Sequence, residues 1–460
     1  MHNDLEELGN IRFKDERLSK RFRKSVKKLV DNPGESILGA FKDIHQAKGF
    51  YRLLANPRAS IQEIQSCLKH STYERIHLRD KSNELLVVQD TTDLNYSSHP
   101  SKKELGEIQN RIERGLRLHP SLVFTRARIP LGIIGCKVWT RDPAVMAKEK
   151  KKSVKQKDIE RNKKKIEEKE SYRWLESLSS SLELARAFPE KQIINLSDSE
   201  SDIYDLYVKA QESQVENLKY IIRSRHNRFT VGGKNIKEEL EEQRVAGRVR
   251  FSLKRGTKIR DVEQEISYKE VELVPPSGKR ELAGVKVTVV LAKETKESAG
   301  ENKPIEWLVL TNKRVKGGKQ AIEILDCYLA RWDIEVYFKI LKSGCKIERV
   351  QLEGKENVIK CVLMYMLVAW RIMYTMKLGR QEEEVCEKEV FSELELKCLY
   401  GNAKKSRKKG GAPLKEAIYL LAKLGGYPGR KSDGPPGPKP MWLGMQRLHY
   451  MVLGGQLLTQ

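Results

Sequence analysis

Apolar residues recur at helical spacing through the first 75 positions. Leu18, Phe22, Val26 and Leu29 share one side of a predicted helix, and Arg17, Lys20, Arg21, Arg23, Lys24, Lys27 and Lys28 cover its other faces. Asn32-Pro33-Gly34 ends it. A second helical segment carries Ile44, Ala47, Tyr51 and Leu54 and stops at Asn56-Pro57, and a third opens on the capping box Ser60-x-x-Glu63. A small helical module with one basic helix suits docking on DNA. An ordinary helical domain with solvated lysines fits the same residues.

From Asn83 the period changes. Leu85 to Val88 form a short, continuously apolar strand running into Asp90-Thr91-Thr92, and strand-like runs follow at 121–125 and 131–140. Residues 147–169 are densely charged and read as an exposed helix or insertion. An amphipathic helix at 174–187 leads to a second buried-type strand, 191–196, which ends in Ser197-Asp198. A helix at 200–209 and a strand at 218–223 continue the alternation. Strands alternating with helices indicate an α/β layer. Residues 229–305 break that rhythm with β-type segments between charged turns and predict an all-β insertion. The α/β pattern resumes with the strand 306–310 and a long helix from Ala321 to Glu348. Beyond about 375 the chain is helical and basic, with a cationic run at 404–409 and a Gly/Pro-rich loop at 425–440.

In the predicted helix 321–348, Tyr328, Arg331, Glu335 and Lys342 are spaced by three, four and seven residues, which puts them within about 60° of one another on one face. Leu325, Leu329, Trp332, Val336 and Ile340 form a second stripe at core-type spacing. A solvated face with an Arg331–Glu335 pair is the plain alternative, although the cation lies N-terminal to the acid, the weaker orientation.

Charge adds a partner class. The chain has 460 residues, room for two or three domains, with a formal net charge of +25 and a pI near 9.6, a field that favours a polyanion, nucleic acid first. The longest clean apolar run, Cys361 to Trp370, is ten residues, against roughly 20 needed to cross a bilayer. The acidic N-terminus is not a signal peptide, and the seven cysteines contain no C-x-x-C pair. No internal repeat, P-loop or dinucleotide fingerprint occurs. The expectation is a cytosolic protein facing nucleic acid, with no membrane association.

Asp90 and Asp198 each follow the C-terminal end of a buried-type strand, and Glu335 lies on a later helix. Three carboxylates presented by an α/β sheet suit a two-metal phosphoryl-transfer site, because Mg²⁺ takes oxygen ligands and needs few of them. Taken singly, Asp90 also reads as a turn residue and Asp198 as a helix N-cap.

With these residues in place, the chain resembles bacterial insertion-sequence transposases of the DDE class, and within them the IS-four family branch (the Tn-five type) with a Tyr-x2-Arg-x3-Glu-x6-Lys signature. Tyr328, Arg331, Glu335 and Lys342 reproduce it, the stretch from Asp90 to Tyr96 resembles the first-aspartate motif, and the stretch from Asp198 to Ile203 resembles the second. The resemblance implies an RNase H-like catalytic domain at 76–371 with its β insertion at about 229–305. It also implies an N-terminal helical DNA-binding domain at 1–75 and a C-terminal helical dimerisation region at 372–460. Asp90, Asp198 and Glu335 would hold two Mg²⁺ ions, with Mn²⁺ as a substitute. Tyr328, Arg331, Lys342, Lys339, Arg223 and Trp307 would contact DNA, Trp307 by receiving a flipped base during hairpin formation. An ordinary core role for Trp307 stays open. One departure is Ser199, where relatives carry Arg, which removes a positive charge beside the ligands.

The implied activity is cut-and-paste transposition by a homodimer acting on terminal inverted repeats and target DNA, in the bacterial cytoplasm and on the nucleoid. The rival readings are an RNase H-like nuclease without strand transfer and a decayed DNA-binding regulator of the element.

Overall fold

The computed structural model describes residues 13–458 except 100, 101, 103, 109–112, 256, 257, 382–384, 409 and 431. The acidic N-terminal segment and Lys409 of the cationic run lie outside the described residues. The strands among the described residues are β1 (Glu84–Gln89), β2 (Thr92–Asn95), β3 (Gly115–Thr125), β4 (Pro130–Trp139), β5 (Gln192–Ser197), β6 (Leu218–Arg223), β7 (Gly247–Arg255), β8 (Lys258–Leu273), β9 (Val285–Glu294) and β10 (Glu306–Thr311). The chain divides into two compact units, one from Met1–Lys81, Thr91–Lys157 and Asp333–Gln460, the other from Ser82–Asp90 and Asp158–Trp332.

The second unit is built on a mixed sheet in the order β1-β5-β6-β10-β9-β8-β7. β1, β5 and β6 are parallel, with Val88 opposite Leu196 and Leu196 opposite Ile221. The remaining neighbours are antiparallel. Leu85 to Val88 and Ile193 to Leu196 are buried without alternation, as strands covered on both faces must be. The helix Arg173–Ala187 precedes β5, and Tyr204–Glu212 makes the crossover from β5 to β6. The stretch 229–305 is mostly rather than wholly β. It carries the short helices Ile236–Glu241 and Lys296–Ala299, and its strands extend the sheet that holds β5 and β6. β9 pairs along the whole of β10 and buries Val287 and Val289 on one face and Val290 on the other, so it is covered on both sides.

In the first unit the helices Glu16–Asp31, Ile37–Phe41, Ile44–Leu54 and Ile61–Arg79 start on the side-chain caps Asp15, Ser36, Asp43 and Ser60, the last in a complete capping box with Glu63. The apolar stripe of the first is buried as its spacing predicts, and Arg17, Lys20, Arg21, Lys24 and Lys27 are exposed. In Ile44–Leu54 the buried face is Ala47, Phe50, Leu53 and Leu54. Ile44, the first helical residue after the Asp43 cap, is exposed and Tyr51 is half-buried, a shift from the predicted stripe. The meander β2-β3-β4 packs β4 on the helix Ile61–Arg79. Gly132 permits this approach, since at its φ of +147° a Cβ would lie 2.2 Å from Thr72 Oγ1.

The centre of this unit is the helix Lys355–Leu378, long and apolar enough to cross a membrane, which the ten-residue run Cys361–Trp370 understated. Every residue of its apolar window is buried inside the protein, so it acts as a core helix. Arg75 lies over its Trp370, 3.9 Å from the ring centroid, and donates from Nε to Leu131 O at 2.6 Å. The C-terminal part adds the helices Glu393–Asn402, Leu414–Leu424 and Pro438–Leu458, with the Gly/Pro-rich stretch as the loop before the last.

Removing the buried Arg75 side chain in Arg75→Ala should cost about 3 kcal/mol of stability, through the unsatisfied Leu131 carbonyl and the lost ring contact. Chemical denaturation of the two proteins measures it.

Candidate active site

β1 and β5 are neighbours in parallel register, and Asp90 and Asp198 each lie two residues beyond the pair Val88–Leu196. Neighbouring strands run about 4.8 Å apart, so the sheet delivers two carboxylates side by side at its carboxyl edge. Both side chains are half-buried. Gln89 donates from Nε2 to Asn195 Oδ1, tying the two strand ends together just behind them.

Two like charges at one edge repel, and the second unit answers with cations. Arg331 donates from Nη1 to Asp90 Oδ2 at 2.8 Å, with both side chains mostly buried, and its guanidinium lies 5.2 Å from the ring of Trp332. Burial raises the Asp198 carboxyl above its usual range and Glu200 adds to this. A hydrogen bond from the Glu200 N–H and the charges of Arg331 and Arg173 partly offset it. The positive charge that Ser199 does not bring thus comes from two arginines elsewhere in the sequence.

The loop that carries Asp198 is rigid. Asp198 caps the short 3-10 turn Ser199–Ser201 by accepting from the Glu200 N–H at 2.9 Å, so the N-cap reading of this residue holds in the structure. Ser201 Oγ donates to Asp198 O at 2.7 Å, and Arg173 bonds Glu200 at 2.5 Å. Asp202, which no sequence pattern marked, is the anchor. It accepts from Arg228 at 2.6 Å, from Tyr207 Oη at 2.8 Å and from the Arg225 and His226 N–H groups. Within the first unit, Thr91 Oγ1 lies 2.9 Å from Nδ1 of the buried His119. Arg228 lies 26 residues from Asp202, Arg173 27 from Glu200 and His119 28 from Thr91, so only the fold reveals these partners.

The predicted helix 321–348 is not one helix. Gly318–Leu329 is α-helical, Ala330–Trp332 is a 3-10 turn, Asp333–Lys339 is α-helical again, and Ile340–Gly344 is a π-turn. Tight and wide turns change the rotation per residue, so the 100° wheel does not place the four signature residues on one face. The second stripe changes too: Leu325 and Ile340 are buried, whereas Leu329 and Trp332 are exposed.

Tyr328 is buried, its ring edge-on to half-buried Trp307 with centroids 6.1 Å apart. Burial pushes its hydroxyl up to about 12, against the pull of Arg331 and Arg223, so it is a proton donor at neutral pH. Arg223 is exposed at the last position of β6. In the first unit, Glu335 and Lys339 are exposed on Asp333–Lys339, and Lys342 is half-buried in the π-turn. Asp90, Asp198, Arg331, Tyr328, Arg223 and Trp307 therefore belong to one unit, and Glu335, Lys339 and Lys342 to the other.

The aspartates offer only oxygens, the donors that hard divalent cations take. Among the described residues no three His, Cys, Asp or Glu are gathered as a ready metal cluster, and Asp90 is held by a guanidinium. The donor chemistry of Asp90 and Asp198 fits Mg²⁺.

Residues 5–59 match the family model described as transposase DNA-binding, and residues 367–459 match that of the transposase Tn5 dimerisation domain. Both strand-end aspartates and the signature residues lie outside these two segments. The matches support a Tn5-type DNA transposase that binds DNA and forms a homodimer.

Asp202→Ala should cost about 3–5 kcal/mol, because it leaves Arg228 buried without its carboxylate. Burial works against the Asp202 charge, yet Arg228 and the N–H donors hold its carboxyl below the usual range. Its contribution is therefore full above the ordinary carboxylate range and is lost as pH falls through the lowered native value. Denaturation midpoints of the two proteins should differ by a constant amount at neutral pH and converge in acid.

Proposed function

We propose that the chain is a cut-and-paste DNA transposase of the DDE class, of the IS-four family and its YREK branch, with an RNase H-like catalytic core. The observation that carries the reading is the pair Asp90 and Asp198 at the ends of adjacent parallel strands, in a chain whose two ends match transposase domains.

In this reading Asp90, Asp198 and Glu335 hold two Mg²⁺ ions, with Mn²⁺ as a substitute, and Glu335 enters on its place in the signature. When bound, such ions supply charge neutralisation and polarisation at the scissile phosphate. The chain's own residues orient the DNA. Arg331 offers a planar fork to a phosphate, Lys342 and Lys339 offer point charges, and Tyr328 donates a hydrogen bond from a hydroxyl that stays protonated. Arg223 stands at the same strand edge as the aspartates. Trp307, stacked edge-on with Tyr328, is the indole for an extruded base, where stacking returns about 1–3 kcal/mol.

Attack of water on the phosphodiester at the element's end frees a 3′-OH. That hydroxyl attacks the opposite strand to form a hairpin, which a second water reopens before strand transfer into the target. The work is done by a homodimer on terminal inverted repeats, in the cytoplasm where chromosomal DNA is reached.

On DNA carrying the sequences that flank the reading frame, with Mg²⁺, the protein should give hairpin-ended fragments on a denaturing gel. Asp198→Ala and Glu335→Ala should each lower cleavage at least about a thousandfold, since several kcal/mol of charge stabilisation is removed, and keep end binding. Trp307→Ala should nick without closing hairpins. Cleavage unchanged in Asp198→Ala would sink the assignment, and nicks without hairpins in the unaltered protein would leave a simple nuclease.

A further inference from the structure

In the first unit, a cleft of about 540 Å³ opens beside the π-turn. Ser97 and Ser98 line one side, and Lys342, Ser343, Lys346 and Arg349 the other. The two walls are pinned to each other beneath the opening. Asn95 N–H donates to Glu348 Oε1 at 2.7 Å, Tyr96 Oη to Ile347 O at 3.1 Å, and Lys102 Nζ to Val350 O at 2.6 Å; His99 Nε2 lies 3.1 Å from Glu348 O. Lys346 is held at a φ of +51°, a left-handed conformation that costs a lysine energy and that the pinned walls sustain.

The lining decides the ligand class. None of its lining residues carries an aromatic or aliphatic side chain, so charged and hydroxyl groups set its chemistry. Three cations face the space with three hydroxyls, and the one carboxylate, Glu348, is engaged by a backbone N–H. Lysine, arginine and serine are the side chains that hold phosphate oxygens along a nucleic-acid strand. The volume admits more than a lone phosphate and suits a stretch of backbone.

We propose that this cleft binds the sugar–phosphate backbone of a DNA strand, with Ser97, Ser98, Lys346 and Arg349 as phosphate contacts beyond the signature lysine. The inference rests on the transposase reading above and adds to it the track of the strand past Lys342.

The test uses the full chain and a fluorescently labelled duplex carrying the flanking sequence, with anisotropy read across a salt series. Lys346 and Arg349 are both exposed, so Lys346→Ala/Arg349→Ala should melt like the unaltered protein. It should bind terminal and random duplexes several-fold more weakly, and the slope of log K against log salt should shrink by about two. Ser98→Glu, which removes no cation, should weaken binding in the same direction. Unchanged affinity and slope in both variants, in a protein that binds and cleaves its ends, would overturn the cleft and leave the transposase reading standing. Equal DNA affinity with loss of polyglutamate binding in the double variant would make the cleft a site for an acidic protein instead, and would also overturn it. Failure of the unaltered protein to bind or cut its ends would remove both.

Discussion

Parallel strands have a consequence that antiparallel ones lack: their carboxyl ends meet at one edge. In the register of β1, β5 and β6, residues two steps past Val88 and Leu196 stand side by side, and both are aspartate. Placing two half-buried carboxylates there is unfavourable unless a cation joins them. The structure shows both signs of this. Burial raises the Asp198 carboxyl, and Arg331 is drawn onto Asp90. Anionic charge held at one edge in this way is what the proposed divalent cations would neutralise.

The surroundings keep that edge from relaxing. Asp202 gathers Arg228 and the turn at 224–226 behind Asp198, and Arg173 reaches Glu200 from another helix. Each bond joins residues distant in sequence, and around the buried Asp202 low dielectric makes a satisfied hydrogen bond strong and an unsatisfied one costly. The same economy extends the sheet through β10, β9, β8 and β7, whose antiparallel turns add area without moving the parallel edge.

How much could be read from residues alone follows from the range of the forces involved. β1 is legible because its continuous apolar run Leu85 to Val88 leaves few alternatives, β5 because Ile193, Ile194 and Leu196 lie close together, and the caps Ser60 and Asp198 because they bond within three residues. The long helix at 321–348 misled because period alone cannot register a 3-10 turn at Arg331 or a π-turn at Lys342. Trp332 fell on the apolar wheel and is exposed, beside the arginine that pairs with Asp90. Asp202 sits inside the second-aspartate stretch yet gave no signal of its own, because its partner lies 26 residues on. Lys355–Leu378 was underrated because charged residues near both ends, Lys360 and Arg371, are themselves buried.

The central claim is that Asp90 and Asp198 hold divalent cations jointly at this strand edge. Fe²⁺ in place of Mg²⁺, with ascorbate and peroxide, generates radicals that cut a polypeptide close to the bound ion. Mass spectrometry of the fragments from the full chain should find scission beside residue 90 and beside residue 198 together, suppressed by excess Mg²⁺ and absent at both places in Asp198→Ala. Scission at neither position, or at one of them unaffected by the loss of the other aspartate, would contradict the account.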